Sequence, residues 1–145
     1  MTVIATDGHS MASDGLVMES DVIIGLDEAK IERLTNGSLY GSAGDCVGGD
    51  RIRDWLNDGA DPDTFPRAED TRALVLTTGG VVHLYDGASG GRSVIVKPPM
   101  AIGSGMDIAI GAMDAGATPA EAVEITMRRV ATCGGKVTNL NRATS

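Results

Sequence analysis

The amino-acid sequence predicts an α+β domain in which mostly antiparallel sheets are layered against a few helices. The first half reads as short apolar strands separated by turn residues, whereas the last third reads as two helices. The dipeptides Asn36-Gly37 and Gly79-Gly80 each join two strand patterns as a hairpin, and a hairpin makes the pairing antiparallel. The length of 145 residues suits one domain spanning residues 1–145.

The strand signals of the first half follow one another closely. Apolar runs predict strands over residues 2–6, 10–14, 21–25, 29–34 and 38–43. Asp7-Gly8 turns the chain after the first strand, because this pair tolerates a positive φ angle. Gly44 then leads into an amphipathic helix over residues 47–57.

The second half changes from strands to helices. Pro62 and Pro66 argue against a long helix in residues 58–70. Extended segments are predicted at residues 73–77, 81–85, 94–96 and 100–103, with a possible last strand at 136–140. One helix is predicted to begin at Ser104 and to end near Gly116. The next starts at the capping box Thr118-Pro119-Ala120-Glu121 and should hold Arg128 and Arg129 in its last turns.

Composition excludes several classes of function. The net charge of -8 argues against a nucleic-acid binder, which needs a basic face to replace phosphate counterions. No apolar run is long enough to span a bilayer and no signal peptide is visible, so we expect a cytoplasmic protein. His9 and His83 stand alone, so neither a metal site nor a cofactor is expected. Cys46 and Cys133 fit no metal spacing and are predicted to be small buried hydrophobes.

Thr2 is the residue most suggestive of chemistry. If Met1 is removed, Thr2 carries a hydroxyl nucleophile and an α-amine base on adjacent carbons. The amine has an unperturbed pKa of about 7.7–8.0, which suits a general base at neutral pH. Many unrelated proteins also begin with Met-Thr, so Thr2 needs partners elsewhere in the chain.

Local patterns leave those partners ambiguous. Lys30 reads as an outward-facing strand lysine, and Asp14 reads as a turn residue before Gly15. Gly41 interrupts a strand, which often marks a bulge or a close backbone approach. Ser104 lies in a Gly-Ser-Gly turn that lacks the outer glycines of the hydrolase elbow, so a helix-capping or supporting hydroxyl is the better interpretation.

Several segments in one order resemble the proteasome β-type N-terminal-nucleophile hydrolases, and within them the HslV branch. The matching segments are Thr2-Val3-Ile4-Ala5, Ala12-Ser13-Asp14-Gly15, Lys30-Ile31-Glu32-Arg33-Leu34, Gly41-Ser42-Ala43-Gly44-Asp45, Met100-Ala101-Ile102-Gly103-Ser104-Gly105 and Val137-Thr138-Asn139. The resemblance implies a four-layer αββα sandwich. Because residues 58–70 are shorter than the helical stretch usual in that family, we expect one outer helix to be shortened or missing.

The resemblance also assigns roles to single residues. Thr2 matches the family nucleophile, Lys30 the catalytic lysine and Asp14 the carboxylate paired with it. Gly41 matches the glycine whose N–H forms the oxyanion hole, and Ser104 matches a serine near the terminal amine. The family carries a carboxylate where this chain has Cys133. A cation beside the amine should keep it neutral by like-charge repulsion.

The implied function is a threonine peptidase that hydrolyses unfolded polypeptide inside a homo-oligomeric ring, served by a ring-shaped unfoldase ATPase. Two alternatives stay open. One is a non-catalytic homologue that retains Met1 and serves assembly, as the missing carboxylate and the shortened middle suggest. The other is an N-terminal-nucleophile amidase acting on small amides.

Overall fold

The computed structural model describes residues 2–143, and Met1 lies outside them. The elements in chain order are β1 Val3–Thr6, β2 Ser10–Ser13, β3 Val17–Glu19, β4 Val22–Gly25, β5 Ile31–Arg33, β6 Leu39–Gly44, α1 Cys46–Asn57, β7 Thr71–Leu76, β8 Val82–Asp86, β9 Ser93–Val96, β10 Met100–Gly103, α2 Met106–Asp114, α3 Pro119–Met127 and β11 Thr138–Asn141. A short 3₁₀ turn, Pro62–Thr64, takes the place of a longer helix after α1.

Two antiparallel sheets form the centre of the molecule. One has four strands in the order β10-β1-β2-β11, and the other has five in the order β5-β6-β7-β8-β9. Apolar side chains of both sheets meet between them, with Ile4 and Ile102 from one sheet and Leu39 and Leu74 from the other, all fully buried. Burial of this apolar area is the main favourable contribution to folding.

Helices cover both outer faces of this pair of sheets. Helices α2 and α3 pack on the four-stranded sheet through a cluster that includes Val3, Ala109 and Val123. Within residues 2–143, α1 is the one helix that packs on the five-stranded sheet, through a cluster that includes Tyr40 and Ile52. The layers therefore follow the order α, β, β, α, which confirms the predicted sandwich with one outer helical layer reduced.

Helix α1 is held close to its sheet by a pair of glycines. The Asp45 side chain accepts a hydrogen bond from the Gly48 N–H at 3.2 Å and so caps the first turn. A Cβ atom on Gly49 would collide with the Ser42 side chain of β6, and one on Gly48 would collide with Thr71 of β7. Glycine at these two positions leaves room for the Ser42 and Thr71 side chains at the present distance between helix and sheet.

The ribbon of β3 and β4 stands apart from both sheets. The two strands pair only with each other, and Val22, Ile23, Ile24 and Leu26 are between 52% and 66% exposed. Consecutive residues of a strand point to opposite faces, so both faces of this ribbon present apolar side chains to solvent. An isolated two-stranded ribbon is marginally stable in water.

Several local predictions need correction. Strand β3 has no counterpart in the prediction, since its run is only three residues long. Helix α2 begins at Met106 rather than Ser104, because Gly105 occupies the N-cap. Helix α3 ends at Met127 with Arg128 as its C-cap, so Arg129 lies beyond it. Cys46 is exposed, because it lies in the first turn of α1 on the solvent side.

Leu74→Ala tests the layer between the sheets. The Leu74 side chain is fully buried there, so we expect truncation to lower the free energy of unfolding by about 2–5 kcal/mol. Val47, in the first turn of α1, is 55% exposed. Val47→Ala should therefore change the free energy of unfolding by no more than about 0.5 kcal/mol. Urea unfolding followed by circular dichroism measures both, and equal losses would contradict this description of the core.

Candidate active site

Three residues distant in sequence meet at one end of the two sheets. The Lys30 ammonium donates to Thr2 Oγ1 at 3.2 Å and to Asp14 Oδ1 at 3.0 Å. The Lys30 side chain is 10% exposed and the Asp14 side chain is fully buried. The cation therefore lies between a hydroxyl and a carboxylate, largely out of water.

The arrangement of the strands explains why Thr2, Asp14 and Lys30 lie together. Thr2 directly precedes β1, Asp14 directly follows β2, and Lys30 directly precedes β5. Antiparallel pairing of β1 with β2 matches Ile4 with Ser13 and so brings Asp14 opposite Val3. The start of β5 reaches the same end from the other sheet.

The Asp14 carboxylate is fully engaged by hydrogen-bond donors. Oδ1 accepts from the Val3 N–H at 3.2 Å as well as from Lys30, and Oδ2 accepts from the Gly134 N–H at 3.1 Å. A carboxylate with three donors, one of them a cation, avoids the cost of a buried unpaired charge. Its position is fixed by the backbone of two separate segments.

Ser104 lies on the other side of Thr2. Its hydroxyl is 3.5 Å from the Thr2 carbonyl oxygen, 3.2 Å from Thr132 Oγ1 and 3.6 Å from Cys133 Sγ. The N-cap of α2 is Gly105 and has no side-chain cap hydrogen bond, so Ser104 does not cap the helix. The supporting hydroxyl, rather than the capping one, is the interpretation that fits this geometry.

The Gly41 amide points in a direction that does not suit the oxyanion role predicted for it. The Asp45 N–H donates to Asp70 O, and hydrogen-bonded pairs alternate along an antiparallel ladder. Gly41 pairs with Leu74 in the same register, so its N–H is directed into the β6–β7 ladder. A Cβ atom on Gly41 would lie 2.8 Å from a methyl carbon of Ile31 and 2.8 Å from one of Ile4. Close packing therefore accounts for glycine at this position.

A cleft of about 690 Å³ opens beside Ser104. Its walls are formed by the ends of β6, β7, β8 and β10 and include Ala43, Gly44, Glu69, Asp70, Arg72, Asp86 and Gly103. The volume is within the range of ordinary ligand sites, about 300–1,000 Å³.

The turn at residues 132–134 joins the two sides of the site, and of its residues the family resemblance singled out Cys133 alone. Thr132 and Cys133 contact Ser104, and Gly134 contacts Asp14. Burial raises the pKa of the Cys133 thiol, so the group stays protonated and uncharged at neutral pH. Gly134-Gly135 signals a loop, but no local pattern indicates that this loop reaches a residue 120 positions earlier.

Comparison with known proteins rests on the fold. No family model and no curated protein matches the chain. Among solved structures, a crystal structure of eukaryotic HslV from Trypanosoma brucei superimposes with a TM-score of 0.69 and 15% sequence identity, covering 97% of this chain and 99% of that one. The chain has the HslV fold. This confirms the fold that the resemblance implied, whereas the roles of the single site residues remain predictions.

The two cysteines should differ in reactivity. The thiolate is the reactive form, so the raised pKa and burial of Cys133 should slow its alkylation at pH 8, whereas exposed Cys46 should react quickly. Mass spectrometry of peptides after timed iodoacetamide treatment measures both sites in one sample. In denaturant the two rates should converge, and equal rates in the folded protein would contradict the burial of Cys133.

Proposed function

We propose that this protein is an N-terminal threonine peptidase with Thr2 as its nucleophile, after removal of Met1. The observation that carries the proposal is the Lys30 ammonium, 3.2 Å from Thr2 Oγ1 and held by the buried Asp14 carboxylate. A hydroxyl is a weak nucleophile until its proton is removed, and a cation beside it stabilises the negative charge that develops on the oxygen. The HslV fold is consistent with this chemistry.

The reaction would proceed in two stages. The free α-amine of Thr2 takes the hydroxyl proton while Oγ1 attacks the peptide carbonyl carbon, and the resulting tetrahedral intermediate carries a negative oxygen. The protonated amine gives its proton to the leaving nitrogen as the C–N bond breaks, which leaves an ester on Thr2. Water, deprotonated by the same amine, then hydrolyses the ester and regenerates the hydroxyl.

The oxyanion needs a donor near Thr2. Because the register directs the Gly41 amide toward β7, we assign this role to the amide of Gly44. Gly44 is the last residue of β6, and its amide faces the β5 side of the sheet, beyond the point where β5 begins. It lies on the wall of the cleft together with Ser104, and a donor in this role would stabilise the charge by about 3–4 kcal/mol.

We further propose that the chain works as a homo-oligomeric ring in the cytoplasm, cleaving unfolded polypeptide supplied by a ring-shaped unfoldase ATPase. The exposed apolar ribbon of β3 and β4 supports association, since apolar surface of this kind is typical of protein interfaces. The negative net charge suits a soluble particle that binds no nucleic acid. Within residues 2–143 no helix is long and apolar enough to cross a membrane.

A non-catalytic assembly role is the second candidate. It is favoured by the uncharged thiol of Cys133 where the family has a carboxylate. It requires that Met1 stay attached, because an acylated amine cannot act as a base. Met1 lies outside the described residues, so the processing of the chain is decided by experiment.

Covalent labelling at Thr2 distinguishes the two candidates. We expect the intact mass of the purified protein to lack Met1, and a peptide epoxyketone to add one equivalent to Thr2 of the wild type. Thr2→Ala should abolish both labelling and hydrolysis, while Thr64→Val, a change at an exposed hydroxyl that bonds Asp61 O and does not line the cleft, should affect neither. Full retention of Met1, or absence of the adduct, would contradict the proposed peptidase function.

Lys30→Met removes the cation and keeps much of the aliphatic stem. We expect kcat to fall by about 10²–10⁴-fold, as for the loss of a positioned catalytic group. The variant also leaves Asp14 buried without its cation, so urea unfolding should show a loss of about 3–5 kcal/mol. Activity within tenfold of the wild type in a folded Lys30→Met protein would remove Lys30 from the mechanism.

A further inference from the structure

The contacts of the Ser104 hydroxyl are consistent with a chain of hydrogen bonds that ends on the Thr2 carbonyl. The Thr2 carbonyl oxygen, 3.5 Å away, can only accept a hydrogen bond. A serine hydroxyl has one proton, so when Ser104 donates to that carbonyl its lone pairs are left to accept. Thr132 Oγ1 at 3.2 Å is then the donor, and the protonated Cys133 thiol at 3.6 Å is the weaker second donor.

The segment that carries Thr132 is itself anchored to the site. Its neighbour Gly134 donates to Asp14 Oδ2 at 3.1 Å and accepts from the Gly15 N–H at 2.9 Å. The Cys133 N–H donates to Val130 O at 3.0 Å, which closes the turn on the end of α3. The Thr132 hydroxyl is therefore presented from a backbone that is fixed relative to Asp14.

The Thr2 carbonyl is held from a second direction as well. A Cβ atom on Gly103 would collide with the Thr2 carbonyl oxygen, so the backbone of β10 passes directly against it. Strand β10 pairs with β1 through Val3 and Gly103. Thr2 is thus fixed by packing on one side and by the Ser104 hydroxyl on another.

We propose that Thr132 is a positioning residue of the Thr2 site, whose hydroxyl donates to Ser104 and keeps the Ser104 proton on the Thr2 carbonyl. The role rests on the proposed function of Thr2 as nucleophile. Thr132 touches neither Thr2 nor Lys30 in the described contacts and acts through Ser104. Its effect is to hold the Thr2 backbone at the distance that places Oγ1 beside the Lys30 ammonium.

The test compares Thr132→Val with Thr132→Ser in the full-length assembled protein. Valine keeps the shape and removes the hydroxyl, whereas serine keeps the hydroxyl. We expect Thr132→Val to lower kcat for a fluorogenic peptide about tenfold with KM unchanged, the size of one lost hydrogen bond, and to slow epoxyketone labelling of Thr2 equally. Thr132→Ser should stay within about twofold of wild type, as should the control Thr64→Val.

Three outcomes overturn the proposal: a Thr132→Val enzyme with unchanged kcat, a Thr132→Ser enzyme that loses as much as Thr132→Val, or a loss confined to KM. If the wild type neither hydrolyses peptides nor labels at Thr2, the proposed function fails on its own. Crystal structures of wild type and Thr132→Val then decide the positioning role. Rotation of the Ser104 hydroxyl away from the Thr2 carbonyl supports it, and an unchanged Ser104 rotamer overturns it.

Discussion

The buried carboxylate of Asp14 is the group on which the rest of the site depends. A charge without solvent is costly unless it is paired and hydrogen-bonded. Asp14 meets that requirement with donors from three parts of the chain, namely Lys30 before β5, the Val3 N–H in β1 and the Gly134 N–H in the last loop. Each donor fixes one segment, and together they fix Thr2, which lies one residue before Val3.

The Asp14–Lys30 ion pair is one of the polar contacts that join the two sheets, together with the Arg33 guanidinium of β5, which donates to the Asn141 carbonyl oxygen of β11 at 2.9 Å. The layer between the sheets is built of closely packed apolar side chains, whose dispersion contacts are individually weak and depend little on direction. Hydrogen bonds to a buried carboxylate do have direction and a narrow range of distance. The ion pair of Asp14 with Lys30 therefore sets how the end of the four-stranded sheet lies against the end of the five-stranded one.

Strands and helices could be predicted from the sequence more accurately than the contacts between them. Asn36-Gly37 and the Thr118-Glu121 capping box are local signals, and both β5–β6 and α3 formed where they indicate. Lys30 looked like an outward strand lysine because its partners lie 28 and 16 residues away, beyond any local pattern. The resemblance to a family, rather than periodicity, brought it together with Thr2 and Asp14. The oxyanion role of Gly41 stays a prediction, and the β6–β7 register, which directs its amide toward β7, argues against it because successive amides of a strand face opposite sides.

The electrostatic balance around Thr2 follows from the same contacts. Lys30 and Asp14 form one pair of opposite charges on one side of the residue. On the other side lie the hydroxyls of Ser104 and Thr132 and a thiol whose pKa is raised by burial, all uncharged at neutral pH. If Thr2 carries a free amine, as we propose, the Lys30 ammonium would repel its cationic form, whereas the groups of the second side carry no charge. The proposed general-base role of that amine requires its neutral form, which is the form that can accept the proton of the Thr2 hydroxyl.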